Sequence, residues 1–199
     1  MIRIRNLILL AFCLLTYGLA QSQEFVVGDF KYTVTSESEK QVSVAAANPS
    51  TLSGEVTIPA TVTNDGVVYT VTSLADSGFF SCSNLTGLNL PETITSVEQY
   101  AFSRSAAFVS INVSEENKYY CSEDGVLFNK DKTELVQYPA GRIGEYTVPS
   151  SVQVIEEYAF LYSRLSKVTL QEGLRVIKGR AFLNSNLTEI ILPESLSLI

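Results

Sequence analysis

The chain has 199 residues, of which 46% are hydrophobic, and it carries a formal net charge of −7 without a single histidine. An acidic chain repels phosphate groups, so nucleic acid and anionic membrane surfaces are poor partners. The lack of histidine excludes Ser-His and Cys-His nucleophilic pairs and removes the commonest metal ligand. Because phosphate-binding, dinucleotide-binding and nucleophile motifs are also missing from the sequence, we predict a protein without enzymatic activity or a cofactor.

Residues 1–20 have the three parts of a secretory signal peptide. Arg3 and Arg5 precede an apolar run at 7–15, and small residues at 18–20 supply a cleavage site, with a scissile bond a few residues later as the alternative. A membrane span needs about 20 apolar residues, more than this run offers. We therefore expect an exported protein at the cell surface, in the medium or in the periplasm, and its mature chain is more acidic still because both arginines are removed. No later apolar stretch of the sequence is long enough to span a bilayer.

Residues 21–53 are predicted to form an N-terminal β cap. Stretches at 25–27, 30–34 and 41–44 alternate apolar and polar residues, and turn-forming residues separate them. The region that follows is built of internal repeats, and an uncovered end of such an array would expose apolar core. We therefore expect a β-hairpin that covers the first repeat.

Residues 54–199 repeat one pattern about five and a half times, and the period is in the low twenties. Each unit has an apolar strand ending at a proline, then Val-x-x-Ile, Ala-Phe and a leucine. Phe79 and Phe102 are one period apart, and so are Phe160 and Phe182. A fixed period of this length is typical of a solenoid, in which each unit buries its apolar face against its neighbours. The sequence therefore predicts a mostly β fold with stacked parallel strands.

Within a unit, the alternation of residues predicts which side chains face the core. Val168 and Leu170 are expected to point inward and Thr169 outward, as in a strand with one buried face. Segments such as 156–160 are too short for a lasting helix, so we expect single helical or 3₁₀ turns there. The phenylalanine of each Ala-Phe pair is predicted to fill the core rather than to bind a ligand.

The third unit departs from the pattern at residues 119–139, which are predicted to form a β-hairpin insertion around 129–132. The stretch from Asn129 alternates oxygen-bearing side chains, but it lacks the glycine and the distal glutamate of a calcium loop, so a metal site is not expected. Cys82 and Cys121 are the cysteines outside the signal peptide. Export permits a disulfide, but free thiols are the favoured interpretation.

These motifs resemble the BspA-like leucine-rich repeats of Bacteroidetes surface proteins over residues 25–199. The resemblance implies a leucine-rich-repeat solenoid, a right-handed β/α superhelix, and a place among adhesins that bind matrix proteins, other bacteria or host surfaces. The chain departs from the family pattern at Gly78, where alanine is usual, and at Ser105 and Ser163, where cysteine is frequent. The stretches that carry the resemblance are the Val-x-x-Ile-x-x-x-Ala-Phe elements, 30–34, 56–60, 124–131 and 138–141.

The exposed face of the parallel strands is the predicted partner-binding surface. The partner would be a matrix or bacterial surface protein, or a glycan. Small polar side chains dominate this face, and the Tyr, Trp and Arg anchors of strong interfaces are missing from it, which predicts weak binding or avidity. The residues assigned to this face are Asn89, Asn112, Thr147, Lys167, Thr169, Glu189 and Ile191.

Two further functions stay open at this point. A structural protein would self-associate, and Ile190, Leu192 and Leu196 predict an apolar edge suited to an end-to-end homodimer. A glycan-binding module would stack sugars on aromatic rings near the insertion, although the same rings also suit packing across a hairpin. The aromatic residues in question are Tyr119, Tyr120 and Tyr138.

Overall fold

The computed structural model describes residues 23–98, 100–102 and 104–199, so the predicted signal peptide at 1–20 lies outside the described residues. This part of the chain contains 17 strands and no helix, and thus no helix long and apolar enough to cross a membrane. The mostly β prediction is confirmed. The strands are β1 (Glu24–Val27), β2 (Phe30–Ser36), β3 (Gln41–Ala46), β4 (Ser53–Thr57), β5 (Thr61–Asn64), β6 (Val67–Leu74), β7 (Asn84–Leu90), β8 (Ser96–Val97), β9 (Ser110–Val113), β10 (Tyr120–Glu123), β11 (Val126–Asn129), β12 (Glu134–Gln137), β13 (Ile143–Thr147), β14 (Val154–Ile155), β15 (Arg164–Thr169), β16 (Val176–Ile177) and β17 (Glu189–Ile191).

The first three strands form an antiparallel meander that joins the repeats through β3. β3 pairs in parallel with β6, so the meander and the first repeat share one sheet. Phe30, Tyr32 and Val34 alternate along β2 and are all buried, as expected for a strand with one face on the core. The ring of Phe30 lies 6.4 Å from that of Phe79 in the first repeat. The N-terminal strands therefore cover apolar surface of the first repeat.

Successive units contribute strands to stacks of short parallel strands. β4, β7 and β9 form one such sheet, and β13, β15 and β17 form another. The second strand of each unit stacks in the same way, β8 on β6, and β14 and β16 on β12. Tyr146, Val168 and Ile190 lie side by side in register, so the period of the sequence is the step from one strand to the next. The handedness of the coil stays a prediction.

The segments around each Ala-Phe pair are hydrogen-bonded turns, and the single helical or 3₁₀ turns expected from the sequence are not confirmed. Ala159 N–H donates to the Glu156 carbonyl at 3.2 Å, and Leu161 N–H donates to the Tyr158 carbonyl at 2.9 Å. A left-handed residue precedes and follows each pair, with φ between 54° and 62°, and such residues interrupt a right-handed helix. The residues at these two recurring positions are Ser77, Tyr100, Tyr158 and Arg180, and Ser81, Arg104, Tyr162 and Asn184.

The recurring phenylalanines stack into two rows of rings, one in the first half of the repeat array and one in the second. Ring centroids are 4.8 Å apart for Phe160 and Phe182, 5.1 Å for Tyr138 and Phe160, and 6.4 Å for Phe79 and Phe102. Phe160 is completely buried, so its truncation to alanine is expected to cost roughly 3–5 kcal/mol. These rings stabilise the stack of units, in agreement with the core role assigned to them.

The insertion in the third unit forms two antiparallel hairpins, one of β10 and β11 and one of β11 and β12, and the second has its turn where the sequence predicted a hairpin, around 129–132. Val126, Leu127 and Phe128 on β11 are all fully buried, because both faces of this strand are covered. Leu127 packs into the core of the first repeats, whereas Val126 and Phe128 pack into the core of the later ones. Consecutive side chains of a strand point to opposite faces. β11 is therefore a wall between two apolar cores.

Both described cysteines are free thiols. Cys82 is fully buried among the apolar residues of the first core. The Sγ of Cys121 lies 3.2 Å from the carbonyl oxygen of Asn129, to which it donates. Burial raises the pKa of the Cys82 thiol to about 11, so it is protonated at neutral pH and chemically quiet.

Candidate functional site

Asn89 and Asn112 lie side by side on the exposed face of the first parallel sheet. Together with Thr57 they occupy matching positions on β4, β7 and β9, and we call these three residues the first row. Asn89 Nδ2 donates to Thr57 Oγ1 at 3.2 Å, and Asn112 Nδ2 donates to Asn89 Oδ1 at 2.9 Å. The amides of the first row are thus held in fixed orientations by their neighbours.

The other predicted surface residues lie together on the second parallel sheet. Thr147, Thr169 and Ile191 share one register across β13, β15 and β17, and we call them the second row. Lys167 and Glu189 flank it, with 3.0 Å between Nζ and Oε1. This hydrogen bond raises the pKa of Lys167, which stays charged. Four of these side chains are polar, and Ile191 is 43% exposed.

The insertion separates the two rows. The tip of its β10–β11 hairpin lies beside β9, where Ile111 N–H donates to the Gly125 carbonyl at 2.9 Å. Gly125 has a φ of +69°, and a Cβ there would come within 2.8 Å of Ser110 Oγ, so only glycine fits. Arg142 ties the tip down, with Nε donating to the Val109 carbonyl at 2.7 Å. The predicted binding face is therefore two three-stranded surfaces.

A groove of about 530 Å³ borders the first row. Asn89 and Asn112 lie on its rim, and the strand-ending prolines of two units contribute to its walls. It is mostly apolar and open to solvent, with polar groups confined to a few side chains. The apolar residues that line it are Ile58, Pro59, Ala60, Leu90, Pro91 and Val113.

A second groove, of about 430 Å³, lies between the turns of the second and fourth units. We call it the tyrosine groove. It is lined by three tyrosines, four glutamates and a single lysine, together with smaller contributions from amide and valine side chains. The lining residues are Val97, Glu98, Tyr100, Tyr120, Asn129, Glu134, Val136, Gln137, Glu156, Glu157, Tyr158 and Lys178.

The tyrosine groove exists because the third unit is shorter than its neighbours after its second strand. Leu135 on β12 pairs with Ile155 on β14, so the two residues hold equivalent positions. Tyr138 follows Leu135 by three residues, whereas the equivalent Phe160 follows Ile155 by five. The third unit therefore has no room for the left-handed turn that, in the other units, comes before the phenylalanine equivalent to Tyr138. Its absence leaves a gap in the row of turns.

Turns from two non-adjacent units meet across this gap. The rings of Tyr100 and Tyr158 have centroids 4.3 Å apart. Burial raises the pKa of the Tyr120 hydroxyl, and the carboxylates of Glu98 and Glu156 raise it further. The phenol of Tyr120 thus lies in the negative field of glutamates from both sides. Each side of the groove bears the same Glu-x-Tyr sequence.

The sequence prediction did not include this groove, although a signal for it exists. Glu98 and Tyr100 in the second unit match Glu156 and Tyr158 in the fourth, and the third unit has no such motif. Of the three tyrosines considered for glycan binding, Tyr120 lines the groove. Tyr138 is buried against Phe160, and Tyr119 is 54% exposed outside the groove. The structure does not bring these three together.

Among residues 23–98, 100–102 and 104–199, no group of three or more cysteine, aspartate or glutamate side chains is arranged to hold a metal ion.

The profile described as BspA type Leucine rich repeat region matches residues 63–124 and 138–199, in six copies. No curated protein sequence matches the chain. The family profile thus covers most of the repeat region and leaves out residues 125–137 of the insertion.

Several solved structures share the fold. The pneumococcal vaccine antigen PcpA is 20% identical, with a TM-score of 0.55 over 88% of this chain and 71% of that one. A leucine-rich repeat protein from Eubacterium ventriosum is 20% identical, with a TM-score of 0.54 over 89% of this chain and 68% of that one. One from Bacteroides ovatus is 24% identical, with a TM-score of 0.54 over 86% of this chain and 42% of that one. At these identities the likeness shows the repeat fold.

Proposed function

Because this chain belongs to the BspA-type leucine-rich repeat family, we propose that it is a protein-binding module without catalytic activity. Repeat proteins of this kind present extended surfaces that are suited to contacts with other macromolecules. The chain has no histidine, and its buried polar groups serve the fold. Ser105 Oγ, for example, donates to the Phe79 carbonyl at 3.1 Å.

The groove beside the first row carries this proposal. It combines apolar walls from Leu90, Pro91 and Val113 with the fixed amides of Asn89 and Asn112 on its rim. An apolar centre with a polar rim is the usual anatomy of a protein-binding surface. The second row lies on the far side of the insertion from this groove, so we assign it a supporting role.

We further propose that the protein is exported and acts in adhesion at the cell surface or in the periplasm. Residues 1–20 have the pattern of a signal peptide, and the BspA-like repeats resemble those of surface proteins. One protein with the same fold is named a pneumococcal vaccine antigen. These observations agree with one another, and they support a partner outside the cytoplasm.

Binding assays with the mature chain, residues 21–199, test the proposal against a panel of immobilised matrix proteins and glycans. The variant Asn89→Arg/Asn112→Arg places two long charged side chains at the groove of the first row. We expect it to lose about tenfold or more in affinity, since burying a charge without a partner is costly. The variant Ser38→Arg/Thr63→Arg adds the same charge at exposed sites and is expected to bind normally.

A matched variant of the second row, Thr147→Arg/Thr169→Arg, separates the two surfaces. If the second row only supports binding, this variant loses less affinity than the first-row variant. Equal affinity for all variants would place the partner on another surface. If the unmodified chain binds no member of the panel, that result contradicts an adhesive role and favours a structural one.

The end-to-end homodimer stays a prediction. Ile190 and Leu192 are 39% and 48% exposed, whereas Leu196 is half-buried and packs against the second core. Light scattering at high concentration measures this directly, and a strictly monomeric mass contradicts it.

A further inference from the structure

We propose that the tyrosine groove is a second binding site, which accepts lysine or arginine side chains of an extended basic peptide. This site is distinct from the groove of the first row, and it has a different ligand chemistry. Its volume of about 430 Å³ is that of a small-ligand pocket. The groove exists because the third unit lacks a turn, so it is a built feature of the repeat array.

The charge of the groove favours a cationic ligand. Its lining contains four glutamates and one lysine. Lys178 is engaged by Glu156, with 2.6 Å between Nζ and Oε2, and Arg180 lies 3.9 Å from Glu157. Glu98 and Glu134, both in the lining of the groove, have no ion pair with another described residue, and Glu98 Oε1 accepts a hydrogen bond from Ser96 Oγ at 3.1 Å. A cleft lined by one sign of charge concentrates counter-charged ligands.

The other polar groups of the groove are already used by the fold. Asn129 Oδ1 accepts the backbone N–H groups of Thr133 and Glu134, both at 2.9 Å. Gln137 Nε2 donates to the carbonyls of Tyr138 and Ala159, at 3.1 and 3.2 Å. The amides are therefore not the recognition groups. The carboxylates are, and they accept hydrogen bonds from guanidinium or ammonium groups.

The arrangement of the rings disfavours a glycan at this site. A sugar stacks on an open aromatic face, but Tyr100 lies against Tyr158, which is only 3% exposed. The Tyr158 hydroxyl also accepts a hydrogen bond from Arg180 Nη1 at 2.6 Å. The rings instead form apolar walls, along which the stem of a lysine or arginine side chain packs while its charged head reaches the carboxylates.

Fluorescence anisotropy with a labelled hexaarginine peptide tests the proposal on the mature chain. The variant Glu98→Gln/Glu134→Gln removes two carboxylates with almost no change in shape. We expect it to bind the peptide about tenfold more weakly, because two charge-assisted contacts are lost. Binding of the unmodified chain is expected to weaken as ionic strength rises, since salt screens these contacts.

The matched control is Glu115→Gln/Glu116→Gln, which removes the same charge from exposed sites outside the groove. It is expected to retain peptide binding. An equal loss in both variants would show general attraction to an acidic protein and overturn the proposal. Failure of hexaarginine to bind would overturn it too, as would tight binding of maltohexaose together with weak binding of the peptide. Binding at the first row is measured separately on the first-row variants, so each of the two proposed sites is tested independently of the other.

Discussion

At the scale of single residues, Asn117 shows how a polar group specifies the start of the insertion. It is only 1% exposed and lies at the position that Ile94 fills one period earlier. Its Nδ2 donates to the carbonyls of Pro91 and Ile94 at 3.0 and 2.9 Å. Its Oδ1 accepts the backbone N–H groups of Tyr119 and Tyr120, both at 2.8 Å. One side chain thus satisfies four backbone groups where the regular pattern ends.

We expect Asn117→Leu to lower the free energy of unfolding by about 3 kcal/mol, although an aliphatic residue suits this position in other units. Leucine removes the four hydrogen bonds, and only the Pro91 carbonyl keeps another donor, the Ile94 N–H at 3.4 Å. Each buried unpaired group costs roughly 1–3 kcal/mol, which the gain in apolar burial offsets in part. Urea denaturation measures the change. Asn84→Leu is the control, because Asn84 is exposed and makes one weak contact, to the Ser50 carbonyl at 3.4 Å. Similar losses for both substitutions would contradict a special role for Asn117.

At the scale of elements, the turns around each Ala-Phe pair are the most strained part of the repeat. Eight residues other than glycine adopt left-handed backbone there, at two positions that recur in four units. A left-handed conformation costs an L-residue roughly 1–2 kcal/mol. The phenylalanine of each turn and the small residue before it, alanine or Gly78, offset this cost, since most of them are buried and hold the turn against the neighbouring unit.

Ser81→Gly is therefore expected to stabilise the protein by about 0.5 kcal/mol. Glycine removes the left-handed strain of a residue with φ of 57°, and this gain exceeds the roughly 0.5–1 kcal/mol lost to the entropy of glycine in the unfolded chain. Ser83→Gly, at an exposed neighbour without positive φ, is expected to destabilise by about that entropic amount. Thermal or urea unfolding distinguishes the pair. A loss of stability in both variants would show that the turn is not strained.

At the scale of the whole molecule, the chain has two apolar cores with β11 between them. Leu88 and Leu165 are fully buried, one in each core. In a repeat array each unit contacts its neighbours, so stability is roughly a sum of local contributions. The two halves are therefore expected to open with some independence.

Hydrogen exchange tests this independence when the same leucine-to-alanine substitution creates a cavity in one core or in the other. Leu88→Ala is expected to reduce amide protection chiefly from β2 to β9, and Leu165→Ala chiefly from β13 to β17. Each substitution costs about 2–5 kcal/mol, enough to make local opening visible. Equal loss of protection across both halves in either variant would instead show one cooperative unit joined through β11.

The sequence by itself determined the repeat, its family and the side chains that form the core. A constant period, with apolar residues at fixed positions, leaves stacking of strands as the solution that buries them, and Val168, Thr169 and Leu170 face as the alternation predicts. The helical or 3₁₀ turns expected from short segments such as 156–160 are not confirmed. Tyr158 and Tyr162 adopt positive φ there, which the identity of a tyrosine does not indicate.

Only the tertiary structure decided how the surfaces are divided. The hairpin tip at Gly125 lies beside β9 and separates Asn112 from Thr147, whereas the sequence predicted one continuous face. The same insertion brings Tyr100 against Tyr158, which belongs to a unit that is not its neighbour along the chain. Local sequence patterns indicate which residues a side chain contacts within its own unit and in the units one period away. The place where an irregular insertion packs depends on contacts between distant units, which no local pattern contains.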